Sequence, residues 1–320
     1  MKPRQIGGDS NAASCARTID TKCVIPFGCS YISRADSRVA CYGEIVRVLR
    51  ISIVFAVALY LTAMAIFFVT QRSLLYYPSR SYTALADAHA NTAFKEISVR
   101  TQDGIDLKAW YAPAINKPFT IVFFHGNADG LRTAAQIADT YIAAGYGFLL
   151  TEYRGYSGLP GSPTETGLYN DGRAFLKELQ ARGVESSHII LYGHSLGTGV
   201  AVQMASEFHV GGLMLLAPYL SIPKLAQIDF PFFPSSLLAL DRFDNEKKIK
   251  SIRMPLLIVN GTSDQVIPPS QGKKLYSLAN EPKEFHSLSG RGHNDAFDEF
   301  APLSINWIER VCRDSSPLVP

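Results

Sequence analysis

Ser195 lies in the pentapeptide Gly193-His194-Ser195-Leu196-Gly197. An apolar, β-branched run, His188-Ile189-Ile190-Leu191-Tyr192, precedes it, and a small-residue, helix-compatible run from Thr198 to Ala205 follows. A serine at a sharp strand-to-helix turn is held in a strained backbone conformation, and glycines two residues to either side let the chain double back. The strain lifts the hydroxyl above the sheet edge, where a base and a substrate can both reach it. A serine hydroxyl is a weak nucleophile at neutral pH, so it needs such a base. Imidazole can take the proton and return it to the leaving group, and a carboxylate can fix the imidazole tautomer and stabilise the imidazolium.

The elements that must position these groups are legible as alternation. Phe94–Arg100 and Ile105–Ala112, joined by Asp103-Gly104, read as a hairpin. Strands are expected at Thr120–Phe124, Gly147–Glu152, His188–Tyr192, Val210–Leu216, Leu256–Asn260 and Glu284–Leu288, with helices at Leu131–Ala144 and Glu165–Arg182 and after each of the last two strands. Such alternation implies an α/β fold, a mostly parallel sheet with helices on both faces. Ligands of these sheets bind at the carboxyl ends of the strands. The residues after the strands are His125-Gly126-Asn127-Ala128, Ser195, Gly261-Thr262-Ser263-Asp264 and Gly290-Arg291-Gly292-His293. A serine, a carboxylate and a histidine thus follow three strands of one sheet. Ser195 is assigned as nucleophile, His293 as general base and acid, and Asp264 as the orienting carboxylate. The backbone N–H groups of Leu196 and Asn127 are the expected oxyanion donors; loss of one such donor costs about 3 kcal/mol of transition-state stabilisation.

Neighbouring residues have plainer explanations. His125 and His194 flank tight turns and are expected to hold loop structure. Asp295, on the His293 loop, is badly placed for the far imidazole nitrogen; Asp241 and Asp244 precede their strand. Ser263 reads as a turn former, and Asn260-Gly261-Thr262 is a glycosylation sequon that would be buried at the mouth of the site. Between Leu220 and Phe243 the alternation breaks: Pro223, Pro231 and Pro234 interrupt an apolar run. It is read as a short cap insertion, about 220–250, that lines an acyl pocket, faces the bilayer or simply packs.

These stretches resemble the alpha/beta hydrolase superfamily, and more narrowly its membrane-anchored, bud-emergence-type branch. The resemblance rests on Phe123-Phe124-His125-Gly126-Asn127-Ala128, Tyr153-Arg154-Gly155-Tyr156, Tyr192 to Gly197, Pro255 to Asp264 and Gly292-His293, and spans roughly residues 70–312. The chain order Ser, Asp, His is the one expected for that fold. The resemblance implies a serine hydrolase of ester or thioester bonds, with no metal and no organic cofactor; some relatives deacylate proteins and others handle lipids. Tyr153-Arg154-Gly155-Tyr156 is read as a structural turn under the site. A peptidase or amidase of the same fold and a non-catalytic membrane scaffold are the alternatives.

Composition bounds the setting. The 320 residues are 47% hydrophobic and 18% charged, and the net charge of +3, without a basic stripe interleaved with aromatics, points away from nucleic acid. Ile51 to Thr70 carries no charge and is bracketed by Arg50 and Arg72. Such a segment, as a helix about 30 Å long, matches the hydrocarbon core of a bilayer. Arg34, Arg38, Arg47 and Arg50 precede it, against Arg72 and Arg80 after it, which favours a cytoplasmic N-terminus and an extracytoplasmic catalytic domain. Ala63-Met64-Ala65 lies inside the apolar run rather than at its end, so an uncleaved anchor is expected over a signal peptide. Of five cysteines, Cys15, Cys23, Cys29 and Cys41 fall in the first 41 residues at spacings that match no zinc or redox pattern, and Cys312 stands alone. The expected organisation is a poorly ordered tail (1–45), an anchor helix (46–70), a connector (71–92), a catalytic domain (93–312) and a C-terminal tail (313–320). The expected partners are an ester or thioester with an apolar acyl group and the lipid bilayer.

Overall fold

The computed structural model describes residues 34–311 apart from 80, 82, 83 and 86–90. The chain divides into two compact units between Tyr60 and Leu61. The first is described only from Arg34, where a helix, α1 (Arg34–Leu75), begins. Its stretch Tyr42–Leu75 is long and apolar enough to cross a membrane. The helix exceeds the hydropathy-drawn span at both ends. Residues 34–45, expected as tail, are helical, because Ala, Glu and Arg sustain a helix without raising hydropathy. At the other end the connector is shortened to begin after Leu75. The rest of the expected N-terminal tail and its Cys15, Cys23 and Cys29, together with Cys312 and the C-terminal tail, lie outside the described residues.

The second unit is built on one sheet of eight strands: β1 (Lys95–Arg100), β2 (Asp106–Ala112), β3 (Thr120–Phe124), β4 (Gly147–Thr151), β5 (Ile189–His194), β6 (Gly212–Leu216), β7 (Leu256–Gly261) and β8 (Lys283–Leu288). Their spatial order is β1-β2-β4-β3-β5-β6-β7-β8. The first two strands are the expected hairpin and join antiparallel; every pair from β4 to β8 is parallel. Nearly continuous apolar strands are required because both faces are covered. Alternate side chains of one strand feed two separate cores: Val122 and Phe124 one, Ile121 and Phe123 the other. β5 and β7 divide in the same way.

The covering helices are α2 (Leu131–Ala143), α3 (Glu165–Ala181), α4 (Gly197–Glu207), α8 (Pro269–Leu278) and α9 (Phe297–Val311). Thr164 caps α3 by accepting from the Gly167 N–H at 3.0 Å. Three short helices, α5 (Ile222–Asp229), α6 (Ser235–Leu238) and α7 (Asn245–Lys248), fill the span between β6 and β7 and form the cap. Ser221 and Pro223 start α5 as a side-chain cap and a first-turn proline should.

Candidate active site

β5 ends at His194 and α4 begins at Gly197, so Ser195 and Leu196 alone make the turn. Ser195 adopts φ 51°, in the left-handed region, at a cost of about 1–2 kcal/mol for a residue with a Cβ. Hydrogen bonds hold it there: the Ser195 N–H donates to Leu216 O at 3.1 Å, and the Thr198 N–H and Oγ1 donate to Ser195 O at 3.0 and 2.7 Å. The flanking glycines are required by space. A Cβ at Gly197 would overlap the carbonyl of Phe124, and one at Gly193 would lie 2.7 Å from the Gly197 carbonyl oxygen.

The three residues drawn from the sequence meet. His293 Nε2 is 2.9 Å from Ser195 Oγ, and His293 Nδ1 is 2.8 Å from Asp264 Oδ2. The second carboxylate oxygen, Oδ1, accepts from the Val266 and Ile267 N–H groups, both at 2.8 Å. Burial alone would raise the Asp264 pKa. The hydrogen bonds from His293 and the two backbone amides outweigh it and hold the carboxyl below its ordinary range. An acceptor-only carboxylate fixes the proton on Nδ1, leaving Nε2 to accept from the serine. This chain of bonds can move a proton off Oγ and return it. Leu196 and Asn127 line the same cavity as Ser195, and neither backbone N–H makes a hydrogen bond among the described residues.

The Asn127 loop is fixed through its side chain. Nδ2 donates to Leu75 O at 2.6 Å, and Oδ1 accepts from the Tyr77 N–H and the Tyr156 hydroxyl, both at 2.9 Å. Beneath the loop His125 and Glu152 form a wholly buried pair: Nε2 is 2.8 Å from Glu152 Oε1 and Nδ1 is 2.8 Å from Gly126 O. Both nitrogens face acceptors, so the ring is satisfied when it carries both protons. Burial would lower the His125 pKa, but the charge and hydrogen bond of Glu152 outweigh it and the pKa is raised. His194 contrasts with it. Burial, with His293 nearby, lowers its pKa. Its Nε2 lies 3.3 Å from His293 O, while the 3.7 Å from Nδ1 to Asp129 Oδ2 is too long for a hydrogen bond.

The remaining candidates have other duties. Asp295 Oδ1 accepts from the Gly292 N–H at 2.6 Å within the loop. Asp241 pairs with Arg72 and Asp244 with Lys247. The Ser263 N–H donates to Arg291 O at 2.8 Å, and Asn260 of the sequon is fully buried. Arg154 bridges Asp103 and Asp171, and the Tyr153 and Tyr156 hydroxyls donate to His125 O and Asn127 Oδ1 at 3.1 and 2.9 Å, so the Tyr153–Tyr156 segment supports the Asn127 loop.

Above Ser195 opens an apolar cavity of about 240 Å³, walled by Leu196 and Ile267, by Leu225 and Phe233 of the cap region, and by Phe67 and Leu74 of α1.

The family model described as serine aminopeptidase, S33 matches residues 117–243. An uncharacterized protein of Mycobacterium tuberculosis is 34% identical over 228 residues, 70% of this chain and 81% of that protein. The human alpha/beta hydrolase domain-containing protein 17B is 34% identical over 187 residues, 56% of this chain and 62% of its own length. The chain belongs to the alpha/beta hydrolase superfamily. Among solved structures, an esterase of Pyrococcus furiosus superposes with a TM-score of 0.60 at 19% identity, covering 74% of this chain and 98% of that one. The esterase domain of a Rhodothermus marinus protein gives 0.54 at 20% identity, with coverage of 68% and 98%. As an alpha/beta hydrolase the chain carries two features that sequence reading passed over. Glu152 immediately follows β4, so the rule that selects residues after strands points to it, but the apolar pattern runs the expected strand through it. Phe67 is hidden inside a segment read only for hydropathy, and Gln71 and Leu74 in the stretch read as a connector.

Proposed function

We propose that the chain is a serine hydrolase of carboxylic esters or thioesters with an apolar acyl group. The observation that carries this is the hydrogen-bonded chain Ser195–His293–Asp264 opening into an apolar cavity. Ser195 Oγ attacks the acyl carbon while His293 Nε2 takes its proton. The Leu196 and Asn127 N–H groups receive the oxyanion. Collapse of the tetrahedral intermediate breaks the bond to the alcohol or thiol, which leaves with the proton from His293. Water, deprotonated by His293, then attacks the acyl-enzyme; the acid departs and Oγ recovers its proton. Asp264 stays ionised throughout, and its lowered pKa suits that role. No step calls for a metal or an organic cofactor.

The esterases among the structural neighbours support an ester substrate, and the matched family's description supports trying peptides. A fluorophosphonate probe should label the full-length protein, and the Ser195→Ala variant should stay unlabelled. A panel of esters, thioesters, amides and aminoacyl amides then separates the activities; turnover of amides alone would replace the esterase reading with the peptidase one. Absence of any labelling would favour a non-catalytic scaffold. We further propose that α1 anchors the enzyme with its N-terminus cytoplasmic. Protease added outside sealed cells should digest the C-terminal domain, and full protection would reverse the orientation.

A further inference from the structure

The end of α1 does more than connect. Met64, Phe67, Gln71 and Leu75 recur at intervals of three and four and are the half-buried positions between Leu61 and Leu75, so one stripe of the helix is packed. Phe67 meets two aromatic rings of the cap, Phe230 at 4.7 Å and Phe233 at 4.8 Å. Gln71 closes two hydrogen bonds with the cap: Nε2 donates to Leu238 O at 3.3 Å and Oε1 accepts from the Leu240 N–H at 2.8 Å. Arg72 grips buried Asp241 with two nitrogens, at 2.8 and 3.3 Å. Asp241 also accepts from the Glu165 N–H at 2.9 Å, which ties the same point to α3.

This fastened stripe borders the cavity at Phe67, Gln71 and Leu75, joined by the more exposed Leu74. Leu75 is bonded to Asn127, at the Ser195 end. Phe67 lies two turns away, about 12 Å along the axis at the α-helical rise. The cavity at about 240 Å³ exceeds the roughly 150 Å³ that holds a benzene molecule. A helix face of this length, opposed by the rings and aliphatic side chains of the cap, suits an extended, unbranched aliphatic chain.

We infer that the last turns of α1 are the chain-length gauge of the site: the acyl chain lies between α1 and the cap, and Phe67 closes its far end. The inference rests on the serine-hydrolase reading of Ser195. Its test uses the full-length protein in detergent and a series of alkyl fluorophosphonates from short to long, with the labelling rate of Ser195 as the readout. Phe67→Ala should raise the ratio of long-chain to short-chain rates about tenfold, and Phe67→Trp should lower it about as much, since single-methylene differences in apolar pockets are worth factors of this size. Leu74→Ala, at a more exposed position, should move the ratio the same way as Phe67→Ala with less loss of packing. Val69→Ala, on the open face at 80% exposure, should leave it unchanged. An unchanged ratio in Phe67→Ala, Phe67→Trp and Leu74→Ala, with labelling intact, overturns the gauge while leaving the nucleophile in place. No labelling of the unaltered chain by any member overturns both.

Discussion

The turn from β5 to α4 and the cap between β6 and β7 are built on opposite terms. In the turn, every residue from Gly193 to Thr198 is buried, and backbone hydrogen bonds and close approaches dictate the glycines. In the cap, two of the three helices have four residues, and Phe232 and Leu237 are 83% and 82% exposed. The first region tolerates almost no change of shape, because backbone atoms already fill the space a Cβ would need at Gly193 and Gly197. The second is held by side chains against α1 and can be re-cut without disturbing the relay. On the proposed function, bond breaking and substrate selection are therefore separable, and the separation can be attacked from either side.

The largest effects belong to the rigid side. Ser195→Ala or His293→Ala should lower kcat by about 10⁵- to 10⁶-fold, and Asp264→Asn by about 10⁴-fold, the scale seen when such relays are broken. Thermal melts of the first two should move little, since neither side chain is a core-packing element. Ester turnover within tenfold of the unaltered protein in any of the three would remove that residue from the relay. By contrast, Phe232→Ser with Leu237→Ser should leave kcat on a short soluble ester within about twofold, as expected for exposed positions.

Next in size is the buried pair beneath the Asn127 loop. Glu152→Gln removes the anion facing His125, and breaking a buried pair costs about 3–5 kcal/mol. The sign of its pH dependence follows from the raised His125 pKa. A histidine bound more tightly to its proton in the folded state contributes stability that is fully present below about pH 6.5, its unfolded value, and lost as pH rises through the folded one. Urea melts at pH 6 and pH 9 should therefore show the gap between the two proteins narrowing at the higher pH. A gap that does not change with pH would mean the ring is neutral in the fold.

What the sequence made legible sorts along the same line. Strand and helix positions came from periodicity, and the strands matter most because both faces are buried and their apolar runs are unbroken. Ser195, Asp264 and His293 were legible because a parallel sheet brings the ends of distant strands together whatever lies between. The spatial order β4-β3-β5 was not legible, since nothing local in Thr120–Phe124 names its neighbours. Nor was the work of Phe67, Gln71 and Arg72. Hydropathy averages a helix around its axis, whereas their contacts with Phe230, Leu238 and Asp241 depend on which face meets a cap 160 or more residues away. The side chain of Asn127 was likewise overshadowed by its backbone N–H, although the side chain is what pins the loop.

That pin gives an intermediate effect. Asn127→Ala keeps the N–H but releases the bonds to Leu75, Tyr77 and Tyr156. Outright loss of an oxyanion donor costs about 100- to 1,000-fold in kcat; a misplaced one should cost less, about 10- to 100-fold. The loss should fall on kcat for short and long esters alike, because the loop serves the reacting carbonyl and not the chain. A loss confined to KM for long esters would assign Asn127 to the selecting side instead.

The smallest effect tests whether the elbow is strained at all. Ser195→Ala and Ser195→Gly both lack Oγ and differ by one Cβ. At φ 51° that Cβ costs about 1–2 kcal/mol, while the extra freedom of glycine in the unfolded chain costs about 0.4–1 kcal/mol. The glycine variant should therefore be the more stable by about 0.5–1 kcal/mol. At Ser236, exposed in the four-residue helix α6, no such strain exists and the order should reverse, glycine being the weaker by up to about 1 kcal/mol. Thermal melts of the four proteins decide it. Opposite signs at the two positions mean that folding energy is spent to present Ser195 and is not spent in the cap. The same sign at both would leave the elbow unstrained, and the contrast between the two regions would rest on burial alone.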